Sequence, residues 1–170
     1  DTDLNITWLK DANYAKTSNY DADGLMNRSD ANAWANNLVY GGYSDWRLPT
    51  VDPVGASFNY AFSTNGTTDW GYGNTSPNSE LAYMYYVNLG NLGYCTPNNA
   101  SPASCTVQSG WGLTNDGPFD NLQSHVYWSG TAYAPYPFSQ AWVFNTSLGI
   151  QGFGNQFSEF YAWAVRPGDV

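Results

Sequence analysis

The alternation of apolar and polar residues predicts a short strand near the start of the chain and more strands in its last third. Residues 4–9 alternate the two types and include β-branched side chains, as a half-buried strand does. Gly149 supplies a turn between two of the later segments. The later strands are predicted at residues 125–129, 140–145, 150–153 and 161–166.

Helical spacing predicts two helices in the first half. In the first, residues 29–39, an apolar face follows a Ser29 cap and ends at two glycines. In the second, residues 79–89, Glu80 lies at the positive end of the helix dipole and Gly90 ends the helix. Residues 51–78 are rich in Gly, Asn, Ser and Thr and are predicted to be a long loop. These elements predict a single α+β domain over residues 1–170.

Composition makes the surface of this domain unusual. Charged residues make up 11% of the chain, against about 25% in an ordinary domain, and aromatic residues make up 18%. Fourteen acidic and five basic residues give a net charge of −9, which opposes binding to nucleic acid and to anionic membranes. The longest apolar run, residues 81–87, is too short for a helix that inserts into a membrane.

The two cysteines and the many amide side chains favour an extracellular or cell-surface location. Cys95 and Cys105 flank a stretch rich in Pro, Asn and Ser, and a disulfide that closes this loop is predicted. Two unrelated reduced thiols are the alternative. Six Asn-x-Ser/Thr sequons make N-glycosylation a hypothesis; they lie at Asn5, Asn27, Asn65, Asn74, Asn99 and Asn145.

Five segments together resemble a known family. They read LNITWL at 4–9, GYSDWRLP at 42–49, YWSGT at 127–131, AWVF at 141–144 and AWAVRP at 162–167. This set is similar to the bacterial exported domain family named after the C-terminal domain of the Legionella collagen-like adhesin. The resemblance implies a C-type-lectin-like fold with two helices, a small twisted antiparallel sheet and long irregular loops. It also implies a non-enzymatic part of an adhesin or surface layer.

Residues 19–30 resemble the spacing of a calcium-binding loop. Oxygen ligands would come from Asn19, Asp21, Asp23, the backbone carbonyl of Leu25, and Asp30. Glycine stands at the sixth position, where the template needs a sharp bend. The alternative is an Asp-Gly turn whose carboxylates cap the following helix, and the sequence leaves both interpretations open.

Arg47 and Arg166 are the cations inside apolar, strand-like segments. They could clamp an anionic ligand, or they could organise turns by pairing with a carboxylate. The structural role is the one predicted. The proposed partners are Asp45, Asp116 and Asp120.

Aromatic residues in Gly-, Asn- and Pro-rich loops predict a binding or assembly surface. The rings assigned to it are Trp70, Tyr72, Trp111, Tyr133, Tyr136 and Phe138, with Phe157 and Phe160 nearby. The single histidine, His125, comes without the Gly-x-Ser-x-Gly motif of a serine hydrolase, which disfavours nucleophilic catalysis.

These observations predict a non-enzymatic extracellular module that self-associates in a surface layer or fibre. Its partner would be itself, or a surface glycan or protein. Residues 4–9 could pair with the sheet edge of a neighbouring copy. The alternative is a lectin-like adhesin domain that binds glycans with the help of Ca²⁺.

Overall fold

The computed structural model describes residues 1–100 and 103–168. In this part of the chain, short strands dominate and the helices are brief. In chain order the elements are β1 (Ile6–Trp8), α1 (Tyr14–Thr17), β2 (Leu25–Met26), α2 (Arg28–Asn37), β3 (Phe62–Ser63), β4 (Trp70–Tyr72), α3 (Glu80–Tyr83), a π-helical turn (Met84–Asn88), β5 (Val126–Ala132), β6 (Gln140–Asn145), β7 (Ile150–Asn155), β8 (Phe160–Tyr161) and β9 (Val165–Pro167).

Seven strands form one mixed sheet in the order β2-β8-β5-β6-β7-β4-β3. Its centre is the antiparallel set β5, β6 and β7, whereas β5 runs parallel to β8 and β3 runs parallel to β4. Tyr127 lies opposite Phe144, and Phe144 lies opposite Gln151, so these three side chains share one face of the sheet. The predicted bounds of β6, 140–145, are confirmed.

The predicted fold class is wrong. The α+β, C-type-lectin-like arrangement has two helices on a small antiparallel sheet, but this chain is mainly β and only 14% helical. Part of the large sheet comes from the predicted loop 51–78, which contributes β3 and β4. Strands of two or three residues are too short to show a period of two, so the hydrophobic pattern could not reveal them.

Both predicted helices exist in shortened form. The side chain that caps α2 is Asn27, which accepts a hydrogen bond from the Asp30 amide, so Ser29 is not the cap. The predicted helix 79–89 is α3 followed by the π-helical turn, and the Ser79 side chain makes no capping hydrogen bond there. Both helices therefore end before the predicted residues 39 and 89.

The N-terminal strand pairs within its own chain. Residues of β1 face β9 in antiparallel register, with Ile6 opposite Pro167 and Trp8 opposite Val165. On the other side of β9, Arg47 and Val165 exchange backbone hydrogen bonds of 2.8 and 2.9 Å. Residues 4–9 are therefore not an isolated strand, and pairing of β1 with a neighbour's sheet edge stays a prediction.

Two groups of buried side chains hold the structure together. The larger group surrounds Trp128, Phe144 and Trp163, with α2 packed against β2 and β5. The smaller group contains Val51, Tyr133 and Trp142. The rings of this group pack against aromatic side chains from the surrounding loops. Large aromatic side chains fill the space that aliphatic side chains occupy in other cores.

Candidate functional site

The predicted aromatic surface divides into buried and exposed members. Tyr72 and Tyr133 are only 7% and 6% exposed, so their assignment to a binding surface is wrong. The Tyr133 ring stacks on Phe153 with centroids 4.2 Å apart and meets Trp142 edge-on at 5.2 Å. Trp70 is half-buried, and Trp111 is exposed beside the disulfide loop.

The exposed rings of the last third lie at one end of the sheet, on the loops that follow β5 and β7. We call Tyr136, Phe138 and Phe157 the aromatic tip. Their exposed fractions are 62%, 95% and 82%. Because the Phe138 and Phe157 side chains stay in water, their apolar surface contributes little to the stability of the fold. Aromatic side chains are common anchors of protein interfaces.

Gln156 fastens the two loops of the aromatic tip together. Its backbone N–H donates to the carbonyl of Ser139 at 2.9 Å, and its Nε2 donates to the carbonyls of Pro137 and Gln140 at 2.9 and 3.1 Å. The loops are therefore held in place before any partner arrives. A preformed surface loses less conformational entropy on binding than a flexible one.

Arg28 lies beneath the aromatic tip and pairs with neutral groups. Its Nη2 donates to the carbonyl of Gly130 at 2.6 Å and its Nη1 to Gln156 Oε1 at 3.4 Å. Burial without a carboxylate partner lowers the pKa of the Arg28 guanidinium from its usual value. Arg28 thus links α2 to β5 and to the tip loop that follows β7, a role that the sequence did not reveal.

The carboxylates of the predicted calcium loop satisfy their own backbone. Asp21 Oδ1 accepts hydrogen bonds from the amides of Asp23 and Gly24 at 3.1 and 2.7 Å, and Asp23 Oδ1 accepts one from Leu25 at 3.0 Å. Burial opposes ionisation of Asp21, but these amide hydrogen bonds outweigh it and lower its pKa. Such contacts are those of Asx turns.

Asp30 belongs to the α2 cap. Asn27 Oδ1 accepts from the Asp30 amide at 3.0 Å, and Asn27 Nδ2 donates to Asp30 Oδ2 at 2.7 Å. Asn19 has a left-handed backbone with φ of 59°. Within residues 1–100 and 103–168, no three Asp, Glu, His or Cys side chains come together as metal ligands. The turn of the alternative interpretation is found, but α2 is capped by Asn27 and not by the Asp21 or Asp23 carboxylate; calcium binding stays a prediction.

Gly24 explains why this turn needs glycine. Its φ is +85°, and a Cβ there would lie 1.9 Å from Asn13 Oδ1. The glycine that suggested a calcium loop is therefore favoured by its left-handed backbone, and the nearby Asn13 side chain leaves little room for a larger residue.

Both predicted structural arginines pair with carboxylates. Arg47 forms two parallel hydrogen bonds of 2.7 Å to Glu80, which also accepts the Thr50 amide at 2.7 Å. Arg166 donates from Nε and Nη2 to Asp45 at 2.8 and 3.1 Å, and these hydrogen bonds lower the pKa of Asp45. Of the three proposed partners, Asp45 is found; Glu80, the partner of Arg47, was missed.

Asp69 is a structural residue that sequence reasoning missed altogether. It is fully buried, and its carboxylate accepts hydrogen bonds from the amides of Val54 and Asn59 at 2.7 and 2.6 Å. Its carbonyl accepts from Gln151 Nε2 at 2.8 Å. This side chain shapes the loop before β3, and no motif marks it.

The sequons differ in how accessible their asparagines are. Asn74 is 2% exposed and donates to Ser79 Oγ at 3.1 Å, so the folded domain leaves no room for a sugar there. Asn5 and Asn99 are exposed, whereas Asn27, Asn65 and Asn145 are half-buried. Ser101, which completes the sequon of Asn99, lies outside the described residues. Glycosylation at the remaining sites stays a hypothesis.

The predicted disulfide between Cys95 and Cys105 is confirmed, with Cα atoms 4.9 Å apart. The bridge closes a loop that lies beside the exposed Trp111 and Val107.

Replacing both cysteines with serine should lower the free energy of unfolding by about 2–3 kcal/mol, because the unfolded chain regains the freedom of an open loop. Urea denaturation of the double variant measures this loss. Ser109→Ala, in the same exposed stretch, serves as the control and should change stability by less than about 0.5 kcal/mol. An unchanged midpoint in the double variant would show that the bridge adds no stability.

His125 is placed among rings. Its own ring is 5.5 Å from Tyr161 and 6.5 Å from Phe160, and its backbone N–H donates to Thr146 Oγ1 at 3.0 Å. His125 is exposed and directly precedes β5, with these rings as its neighbours.

The fold and the exposed rings define a class of protein: a mainly β, polar and aromatic-rich domain that presents a preformed contact surface. The chain belongs to the Lcl C-terminal domain family, whose sequence model matches residues 1–166. The resemblance to the Legionella collagen-like adhesin is thereby confirmed. The family is adhesin-type, extracellular or surface-associated, and not a known enzyme family. No curated protein and no solved structure matches the chain.

In the described part of the chain, no helix is both long and apolar enough to span a bilayer.

Proposed function

We propose that this domain is a non-enzymatic adhesive module that associates with further copies of itself through the aromatic tip, as a subunit of an extracellular or cell-surface assembly. The observation that carries the proposal is the exposure of Phe138 and Phe157 at 95% and 82% on loops that Gln156 holds in place. Such rings become buried when a second surface covers them.

The electrostatics of the molecule support contact through uncharged groups. Lys10, Arg47 and Arg166 are each paired with a carboxylate in their own chain. The net charge of −9 leaves the molecule acidic, so two copies repel each other at long range. A neutral aromatic contact avoids bringing like charges together, so raising the salt concentration should strengthen self-association.

The surroundings of His125 support a binding role. His125 contacts rings instead of a serine or cysteine nucleophile.

Analytical ultracentrifugation over a range of concentrations tests the proposal. The natural chain should form reversible oligomers, and Phe138→Ser with Phe157→Ser should weaken association at least about tenfold, since each buried aromatic anchor contributes 1 kcal/mol or more. Val39→Ser is the matched control, because Val39 is 72% exposed outside the aromatic tip. It should leave association unchanged.

Two results would contradict the proposal. One is a strict monomer at every concentration and salt level. The other is an oligomer that the double tip variant leaves intact. A monomer that binds glycans only when Ca²⁺ is present would support the lectin-like alternative instead.

A further inference from the structure

A small cavity lies away from the aromatic tip, where β1, β9 and the segment between α2 and β3 meet. We call it the tyrosine-hairpin cavity. Its volume is about 220 Å³. Four rings and two cations line it: Trp8, Tyr40, Tyr43, Trp46, Lys10 and Arg166.

A tight hairpin forms one wall of this cavity. Tyr40 and Tyr43 exchange two backbone hydrogen bonds of 3.0 Å across Gly41 and Gly42, whose φ angles are +62° and +84°. Both tyrosines are about 40% exposed. Two adjacent glycines with positive φ build a two-residue turn that other residues adopt poorly.

Two residues that line the cavity each carry a buried N–H group without an acceptor among residues 1–100 and 103–168. Arg166 is 8% exposed; its Nε and Nη2 are bound by Asp45, but its Nη1 has no partner. Trp8 is 7% exposed, and its Nε1 also lacks an acceptor. A buried N–H without a partner destabilises the free protein by about 1–3 kcal/mol, so an acceptor oxygen at this place would be stabilised.

The described carboxylates nearby are already paired with cations. Both Asp45 oxygens already accept from Arg166, and Asp120 pairs with Lys10 at 3.0 Å. The cavity thus combines ring walls and unused donors, and its complement is a ring with an apolar face and an acceptor group.

We propose that the tyrosine-hairpin cavity binds a single six-membered ring that bears a carboxylate. The ring packs against Tyr40 and Trp46, and one carboxylate oxygen accepts from Arg166 Nη1. A carboxylate suits a guanidinium better than a neutral carbonyl does, because charge-assisted hydrogen bonds are about twice as strong. The volume is below the roughly 300–1,000 Å³ of pockets for drug-sized ligands, which limits the ligand to one ring.

Tyr43 controls access to the donor. Its ring lies 3.7 Å from the guanidinium carbon of Arg166 and covers one side of that group. Binding therefore requires the exposed Tyr43 side chain to swing outward on its glycine turn, while the backbone of β9 stays in place.

Two sources share this ligand chemistry: an aromatic monocarboxylic acid and a uronic acid residue of a polysaccharide. Benzoate and methyl β-glucuronide represent them, and benzyl alcohol supplies the aromatic ring without the charge. Titration of the isotope-labelled domain, followed through the indole N–H signals in NMR spectra, measures binding at the cavity. The Trp8 signal is assigned with Trp8→Phe.

At least one of the two acids should bind with a saturable shift of the Trp8 indole signal. If benzoate binds, benzyl alcohol should bind at least tenfold more weakly than benzoate. Tyr40→Ala should weaken binding at least tenfold, whereas the matched control Tyr136→Ala should leave it unchanged. Shifts with neither acid, equal binding of benzoate and benzyl alcohol, or a Tyr40→Ala variant that binds normally would each overturn the proposal. The aromatic tip plays no part in this test.

Discussion

Arg47→Ala should lower the free energy of unfolding by about 3–5 kcal/mol, which is a large share of the roughly 5–15 kcal/mol that stabilises a typical domain. The loss arises because the substitution leaves the Glu80 carboxylate without its cation. The Glu80 side chain is 10% exposed and would lose both hydrogen bonds from the guanidinium while keeping the Thr50 amide. A buried carboxylate without its cation is strongly destabilising.

Chemical denaturation measures this effect, and the chain offers a matched control. Lys10 and Asp120 form an ion pair of 3.0 Å whose side chains are 69% and 58% exposed. Lys10→Ala should therefore change stability by less than about 1 kcal/mol. An Arg47→Met, Glu80→Leu double variant should recover much of the loss, because it removes the buried charge altogether. Arg47→Ala with an unchanged melting temperature would refute the structural role.

Asp69→Ala should be nearly as damaging, with a loss of about 3–5 kcal/mol. The fully buried carboxylate is the acceptor for the Val54 and Asn59 amides, and each hydrogen bond to a charged group contributes about 1.5–3 kcal/mol. Phe58, beside Asn59, stacks on Trp142 with centroids 5.6 Å apart. Loss of the carboxylate should therefore also alter the near-ultraviolet circular dichroism of Trp142.

Asp69→Asn tests how much of the stability loss comes from the charge of the carboxylate, because asparagine has nearly the same shape. The asparagine keeps one acceptor oxygen, so about half of the stability loss is expected. Asp116→Ala, on an exposed loop, is the control and should stay within about 0.5 kcal/mol of the natural chain. If Asp69→Ala unfolds at the same denaturant concentration as that control, the two amides must find other acceptors.

The sequence predicted the parts of the fold in which a regular period extends over several residues. The pattern at 140–145 gave β6 with its observed bounds, and the spacing of Ala31, Trp34 and Ala35 located the buried face of α2. The segment 161–166 was read as one strand, but the structure divides it between β8 and β9, which belong to different sheets. Continuous apolar composition does not show where a chain leaves one sheet and enters another.

Long-range pairing explains most of what the sequence could not show. Glu80 was assigned to a helix dipole from its neighbours in sequence, whereas its partner Arg47 is 33 residues away. Tyr133 and Tyr136 have similar loop neighbours along the chain, yet one is buried and the other exposed. What separates them is the stack of Tyr133 on Phe153, a contact between the residue that follows β5 and a residue of β7.

The pairing of β1 with β9 determines how this domain responds to mechanical load. Because Ile6 lies opposite Pro167 in an antiparallel pair, the chain leaves both strands on the same side. A force that pulls on the two flanking segments therefore breaks the hydrogen bonds between these strands one after another, as in unzipping, and not all at once. A tethered adhesive domain of this design would yield first at β1 and β9, while the seven-stranded sheet stays folded.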